Sequence, residues 1–176
     1  MSEVKEVLRV LVLLDASPPS QAALRAAVGL AQRRDVELKA VYIEDINLLR
    51  GAAFPFARQL GAATGQIRPI DSALMEAWLQ RQRARVEATL RQALMGSESL
   101  RHSLEVRRGQ VVGEALSLLL DGDLLVLGKS SACAAFAPDM MGSTCRALAR
   151  RAPCLVMVWD ERRKSLVNAA DVLDPD

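Results

Sequence analysis

Three groups of residues in this chain carry atoms suited to holding a small anionic molecule. Gly128-Lys129-Ser130-Ser131 follows the apolar run 124–127. Gly142-Ser143-Thr144 stands ahead of a helix-like run, 145–151. Asp15 closes another apolar run, 8–14. Glycines let backbone N–H groups approach a phosphate, and a Gly-Ser pair opening a helix puts an anion at the positive end of the helix dipole. The hydroxyls of Ser130, Ser131, Ser143 and Thr144 add donors for charged oxygens. This chemistry is binding rather than bond breaking.

Catalytic groupings find little support. His102 is the only histidine. It falls on an expected outer strand, 102–106, away from the Asp15 end, so no Ser-His-Asp or Cys-His system reaches Ser143 or Cys145. A metal site fails for the same lack of ligands. Slow ATP hydrolysis would need a base and a metal ligand, for which Asp15 alone is thin support. The three cysteines, Cys133, Cys145 and Cys154, form no C-x-x-C pair. They read as free thiols of a reducing compartment, without zinc. Cys145, near a helix start, is either a buried structural thiol or one with a lowered pKa. Gly128-Lys129-Ser130 matches the end of a Walker A motif, but Asp123 stands where that motif needs glycine. Pro138 and Gly142 also lie where its helix would run. Lys129 then reads as an exposed loop lysine or a counter-charge for phosphate. Asp15 reads as a ligand contact or as a turn-forming acid after a strand.

These residues need a scaffold, and the composition supplies one. Hydrophobic residues make up 51% of 176 residues and charged residues 25%, which suits one globular domain with a substantial core. Aromatic residues are 3%, too few for a platform that stacks single-stranded nucleic acid. The formal charge of +2 makes no electrostatic case for nucleic acid or a membrane surface. The N-terminal apolar run is too short to span a bilayer, and acids stand where a secretory signal is basic. The expectation is a cytoplasmic protein with no membrane insertion.

Along the chain, apolar strand patterns alternate with helix patterns. Strands are expected at 8–14, 36–43, 102–106, 124–127 and 155–159. Helices are expected at 21–34, with Ser20 as N-cap, and at 72–95, 111–120 and 145–151. The arginines of 72–95 read as a solvated face, because Glu76 and Glu87 interrupt them. Segment 46–71 holds glycines, prolines, Phe54 and Phe56 without a sustained period, and reads as a lid or insert. Phe54 and Phe56 either seal a core edge or belong to a lid or oligomer contact. Residues 161–176 read as a C-terminal tail that frays or caps the fold. This alternation implies an α/β fold, a doubly wound five-stranded parallel sheet of order 3-2-1-4-5. The strand order then reverses between the first and fourth strands, and Asp15 and the Gly128 loop face one crevice.

The residues resemble the universal stress protein family. The likeness runs from Val7 to Trp159: a first strand ending in Asp15, an apolar second strand through Val41, a helix start at Gly109, and the segment Leu127 to Trp159. The phrase Arg-Arg-Ala-Pro-Cys-Leu-Val-Met-Val, from Arg150 to Val158, is especially similar. The resemblance implies one Rossmann-like domain of the adenine nucleotide alpha hydrolase type over residues 1–160. It also implies a homodimer or homotetramer and a role in the stress response. Some members bind ATP or AMP and others do not.

Nucleotide-binding members carry G-x-x-G, nine residues, then G-[ST]. Carried over, Gly128 matches the first glycine and Gly142-Ser143 the last pair, with Thr144 beside them. Ser131 stands at the second glycine, where its Cβ penalises a left-handed backbone, and the loop is one residue longer. By the same resemblance Asp15 contacts the nucleoside and Val41 lines the adenine pocket. The cofactor implied is ATP or AMP, with Mg only alongside ATP. The sequence thus reads as a non-catalytic, nucleotide-responsive binding or signalling module. The alternative is a relative that has lost the nucleotide and works as an oligomeric module with a protein partner; Phe136 or Met140 filling the crevice would favour it. The last strand, Leu155 to Trp159, is expected at a sheet edge, where a second subunit would cover it.

Overall fold

Arg9 interrupts an otherwise apolar strand, and the pairing of that strand shows why. In this computed structural model, which describes residues 7–47, 58–60, 67–69, 72–129 and 141–173, Arg9 opens strand β1 (Arg9–Leu14) directly beside Asp123, which opens β6 (Asp123–Gly128). The guanidinium donates to the Asp123 carboxylate from Nε at 2.9 Å and from a terminal nitrogen at 2.7 Å. It also donates to the Leu118 carbonyl at 3.2 Å, and Leu120 N donates to Asp123 at 2.8 Å. The buried carboxylate is therefore paired and hydrogen-bonded, the condition under which a charge is tolerated inside.

Around β1 the chain runs α1 (Pro18–Arg34), β2 (Glu37–Asp45), β3 (Arg58–Leu60), β4 (Ile67–Pro69), α2 (Ser72–Ala93), β5 (His102–Gly109), α3 (Val111–Leu118), β6, α4 (Ser143–Arg151), β7 (Leu155–Asp160), β8 (Ser165–Asn168) and α5 (Ala169–Leu173). The main sheet has the order β5-β2-β1-β6-β7-β8. Its first five strands are parallel and reproduce the expected order 3-2-1-4-5. Leu13 pairs with Val41, and Val12 with Val126. Strands β3 and β4 form a separate antiparallel pair inside segment 46–71. Phe54 and Phe56 lie outside the described residues, as does most of the expected lid.

Both faces of the sheet are covered. Val10, Val12, Leu38, Ala40, Tyr42 and Val126 pack against Ala23, Leu24, Ala27 and Ala31 of α1 and Val86 and Leu90 of α2. Leu11, Val41, Ile43, Leu125, Leu127 and Val158 pack against Ala115 of α3, Cys145 and Leu148 of α4, and Ala169 of α5. The alanines of α1 let its backbone approach the sheet closely.

Three expectations change. Ser17, not Ser20, caps α1: its hydroxyl accepts from Ser20 N at 3.3 Å, and Pro18 and Pro19 occupy the first helical positions. Proline fits there because that N–H has no intrahelical partner. The sheet has six strands rather than five. Finally, β7 is not the last strand of the sheet: β8 pairs antiparallel with it from Met157 to Asp160, Val158 opposite Val167, so that part of its backbone is engaged within its own chain. The tail after Asp160 is structured in this part because Ala169 is buried and Val172 and Leu173 pack on the same core cluster. Among the described residues, no helix is long and apolar enough to cross a membrane.

The Arg9–Asp123 pair yields a direct test. Arg9→Ala strands the carboxylate with one backbone donor, and we expect a loss of about 3 kcal/mol, the low end for a broken buried pair because Arg9 is partly solvated. Urea unfolding measures it; an unchanged midpoint would contradict the account.

Candidate functional site

The carboxyl ends of β1, β2 and β6 meet where the strand order reverses. Asp15 follows β1 and is exposed. Its Oδ1 accepts from Ser17 N at 2.9 Å, so it forms the turn into α1 and also faces the crevice. Ala16, between them, has φ 61°, a left-handed conformation that costs a non-glycine residue about 1 kcal/mol. This strain sits within the strand-to-helix turn.

Gly128 ends β6 against that same turn. A Cβ there would lie 2.8 Å from Pro19 C and from Ser20 N, so only glycine lets strand and helix start approach this closely. The Gly128 carbonyl accepts from Cys145 Sγ at 2.9 Å, and Gly142 N donates to the Lys129 carbonyl at 3.3 Å. These bonds bring the start of α4 back beside the end of β6. Gly142 is the N-cap of α4, with no side-chain cap bond, and the first N–H groups of a helix have no partner within it.

A cavity of ≈ 700 Å³ opens between these elements. Asp15, Ser17 and Ser20 line it from the β1–α1 turn; Tyr42, Ile43 and Asp45 from β2; Trp78, Leu79 and Gln82 from α2. Gly128, Gly142, Thr144 and Cys145 close the far side. Asp15, Gly128, Gly142 and Thr144 are therefore brought together as expected. Val41 is not: it is buried in the core, and Ile43, two residues along on the same face, lines the cavity in its place. Ser143 is exposed beside the cavity and does not line it. Ser131, like Ser130, Cys133, Phe136 and Met140, lies outside the described residues. Met141 is buried in the core.

The sequence reading missed Tyr42, Asp45, Trp78 and Gln82. Asp45 and Tyr42 were reachable from the rule that ligands meet strand ends. Trp78 and Gln82 share a face at i, i+4, but nothing local tells a cavity-facing stripe from a solvated one. Helix α2 is held over the site by Arg108, which donates to both oxygens of Glu76 at 2.8 and 2.9 Å and pairs with buried Glu44 at 2.7 Å.

Lys129 is neither an exposed loop lysine nor a free counter-charge. It is largely buried and pairs with Asp160 at 3.4 Å. Asp160 is held below the ordinary carboxylate range by the backbone N–H of Arg163, then by that of Arg162 and by Lys129. His102 sits at the opposite end of the sheet, with Nδ1 3.0 Å from the Leu100 carbonyl. Burial pushes the Cys145 thiol up to about 12, with Asp15 adding to it, so its helix-start position does not activate it. Burial likewise pushes Tyr42 up to about 12, reinforced by Glu44 and Asp15.

With the geometry in place, comparison with known proteins is informative. The profile of the Universal stress protein family matches residues 6–159. No curated protein matches the sequence. Among solved structures, universal stress protein UspA from Lactobacillus plantarum is 23% identical, with a TM-score of 0.63, over 87% of this chain and 97% of that one. A universal stress family protein from Burkholderia pseudomallei is 21% identical, TM-score 0.50, over 85% and 95%. A universal stress protein from Archaeoglobus fulgidus is 14% identical, TM-score 0.50, over 87% and 93%. At these identities the structures establish a shared fold.

Cys145 and Tyr42 give the site a pH signature. Their ordinary values are 9.0 and 10.0, and both are raised in the folded protein. The native state keeps these protons while the unfolded chain releases them, so stability is intact below about 9 and falls as pH rises through about 12. Within that window Cys145→Ala removes up to about 1.4 kcal/mol per pH unit of the slope. Urea unfolding from pH 8 to 11 on both proteins checks this; identical slopes would contradict it.

Proposed function

Because this chain belongs to the Universal stress protein family, we propose that it is a non-catalytic, adenine-nucleotide-responsive binding module of the stress response, taking AMP or ATP in the cavity between β1 and β6. The carrying observation is that Asp15, Gly128, Gly142 and Thr144, far apart in the chain, border one cavity of ≈ 700 Å³ at the reversal of strand order. That volume falls in the ordinary range for small-molecule sites. Asp15, exposed and lining the cavity, would accept a hydrogen bond from a sugar hydroxyl. The uncapped start of α4 offers N–H groups and a partial positive charge to a phosphate. Ile43 and Leu127 give the apolar wall that a base requires.

This reading places the protein in the cytoplasm and includes assembly with further copies of the chain. That contact would use a surface other than the backbone edge of Met157 to Asp160, which β8 already occupies. No step of bond cleavage is assigned.

Titration calorimetry with AMP and with ATP, with and without Mg2+, tests the proposal. Saturable heat is expected. Asp15→Ala is expected to weaken binding about tenfold by removing one charged hydrogen bond. Gly142→Val is expected to weaken it at least as much by crowding the start of α4. Absence of both heat and thermal shift at millimolar nucleotide would overturn the proposal.

A further inference from the structure

We infer that the recess between α1 and β7 is a second binding site, separate from the crevice at the strand reversal. Its ligand is a small amphiphile with an anionic head and an apolar body, of the class of long-chain carboxylates.

The first ground is apolar surface left uncovered. Helices α1 and α2 pack on one face of the sheet, and α3, α4 and α5 on the other. On the two-helix face, β7 and β8 lie beyond α1 and are only partly covered. Leu155, Met157 and Trp159 share that face of β7, because side chains alternate along a strand. Leu155 is 46% exposed, and Met157 and Trp159 are half-buried. Leu166 of β8, opposite Trp159, extends the same floor. With the outer side of α1 these residues form a recess of ≈ 430 Å³, a volume in the ordinary range for small-molecule sites.

The second ground is Gly29, which lines this recess from the middle of α1. Glycine there costs helix stability. Neither backbone nor packing demands it: its φ is not positive, and a Cβ would meet only the tip of the Arg33 side chain, at 3.2 Å. What the missing side chain does is deepen the recess.

The third ground is charge. Arg25, Arg33 and Arg34 line the recess, and among the described residues no acid does. Helix α1 runs back toward the amino ends of the strands, so Arg33 and Arg34 lie at the level of Leu155 and Arg25 nearer Trp159. The two ends are about 12 Å apart along the helix axis. Arg25 is within electrostatic reach of Glu161, which also pairs with Lys164. No described carboxylate pairs with Arg33 or Arg34. Unmatched positive charge therefore stands at one end of an apolar floor. Last-turn arginines complement the helix dipole, which accounts for their place in α1 but not for the floor beside them. A carboxylate on this pair, where a guanidinium can bind it bidentately, would lay its chain along Met157 and Trp159. A second copy of the chain fits less well, because two-fold pairing of the recess with itself sets arginine against arginine.

Trp78 and Trp159 are the only tryptophans, so in a Trp78→Phe protein the emission reports on this recess. Titration with dodecanoate, kept below its micelle threshold, is expected to change that emission saturably and to raise the unfolding temperature. Arg33→Gln combined with Arg34→Gln is expected to weaken binding at least tenfold. Dodecyltrimethylammonium, the same chain with the opposite charge, is expected to bind at least tenfold more weakly than dodecanoate. Gly29→Leu fills the recess while favouring the helix, so it is expected to weaken binding at least tenfold without lowering the unfolding temperature. No saturable change, equal binding of the cationic amphiphile, or unchanged affinity in the Gly29→Leu protein would overturn the inference. A response to phosphatidylglycerol vesicles with none to monomeric dodecanoate would overturn it too, in favour of a membrane surface. None of these results bears on the nucleotide reading, which concerns the other cavity.

Discussion

The backbone of Gly128 meets the first turn of α1 so closely that no side chain fits between them. Much of the site follows from that contact. It brings the end of β6 against the turn that carries Asp15. It fixes where the loop after β6 departs, and the bonds from Cys145 to Gly128 and from Gly142 to Lys129 return the chain to the same place. A glycine expected to make room for phosphate is thus required by packing between strand and helix. The two roles differ physically: one keeps space for a ligand, the other removes space between two backbones.

Several charges at the two ends of the sheet are paired within the fold. At one end of the sheet Arg9 is matched to Asp123. At the other, Arg108 joins Glu44 to Glu76, and Lys129 joins Asp160. Each pair fastens neighbouring elements. Among the described residues, the crevice is lined by Asp15 and Asp45, by Tyr42 and Trp78, by Ser17, Ser20, Gln82 and Thr144, and by apolar side chains. Partly buried pairs of this kind add little net stability, but removing one partner is costly, so they act mainly to fix geometry.

Legibility in the sequence followed the length scale of the signal. The inner strands β1 and β6 were readable because runs buried on both faces are continuous and apolar. The outer strand β5 was marked only by weak alternation, and the order only by the alternation of strands and helices. Strand β8 was not readable: Ser165–Asn168 is four residues long, follows the charged stretch Glu161 to Lys164, and gains its burial only through β7 and the core. Asp15, Gly128, Gly142 and Thr144 were legible because turns and helix starts restrict residue type locally. Val41 is buried and Ile43 lines the cavity; alternation fixes the face of a strand, but not how far along it the core ends and the cavity begins. Helix α2 was legible as a helix, yet that Trp78 lines the cavity follows from where the helix sits, with Arg108 bonded to Glu76, a contact between residues 32 positions apart.

The central claim is that the reversal of strand order between β1 and β6 is where this protein holds its ligand. A crystal structure of the full chain grown with AMP tests it most directly. The account predicts a purine against Ile43 and Leu127, the ribose beside Asp15, and the phosphate at the first turn of α4. AMP bound elsewhere, or a crevice closed by the side chains of residues 130–140 with AMP excluded, would contradict it.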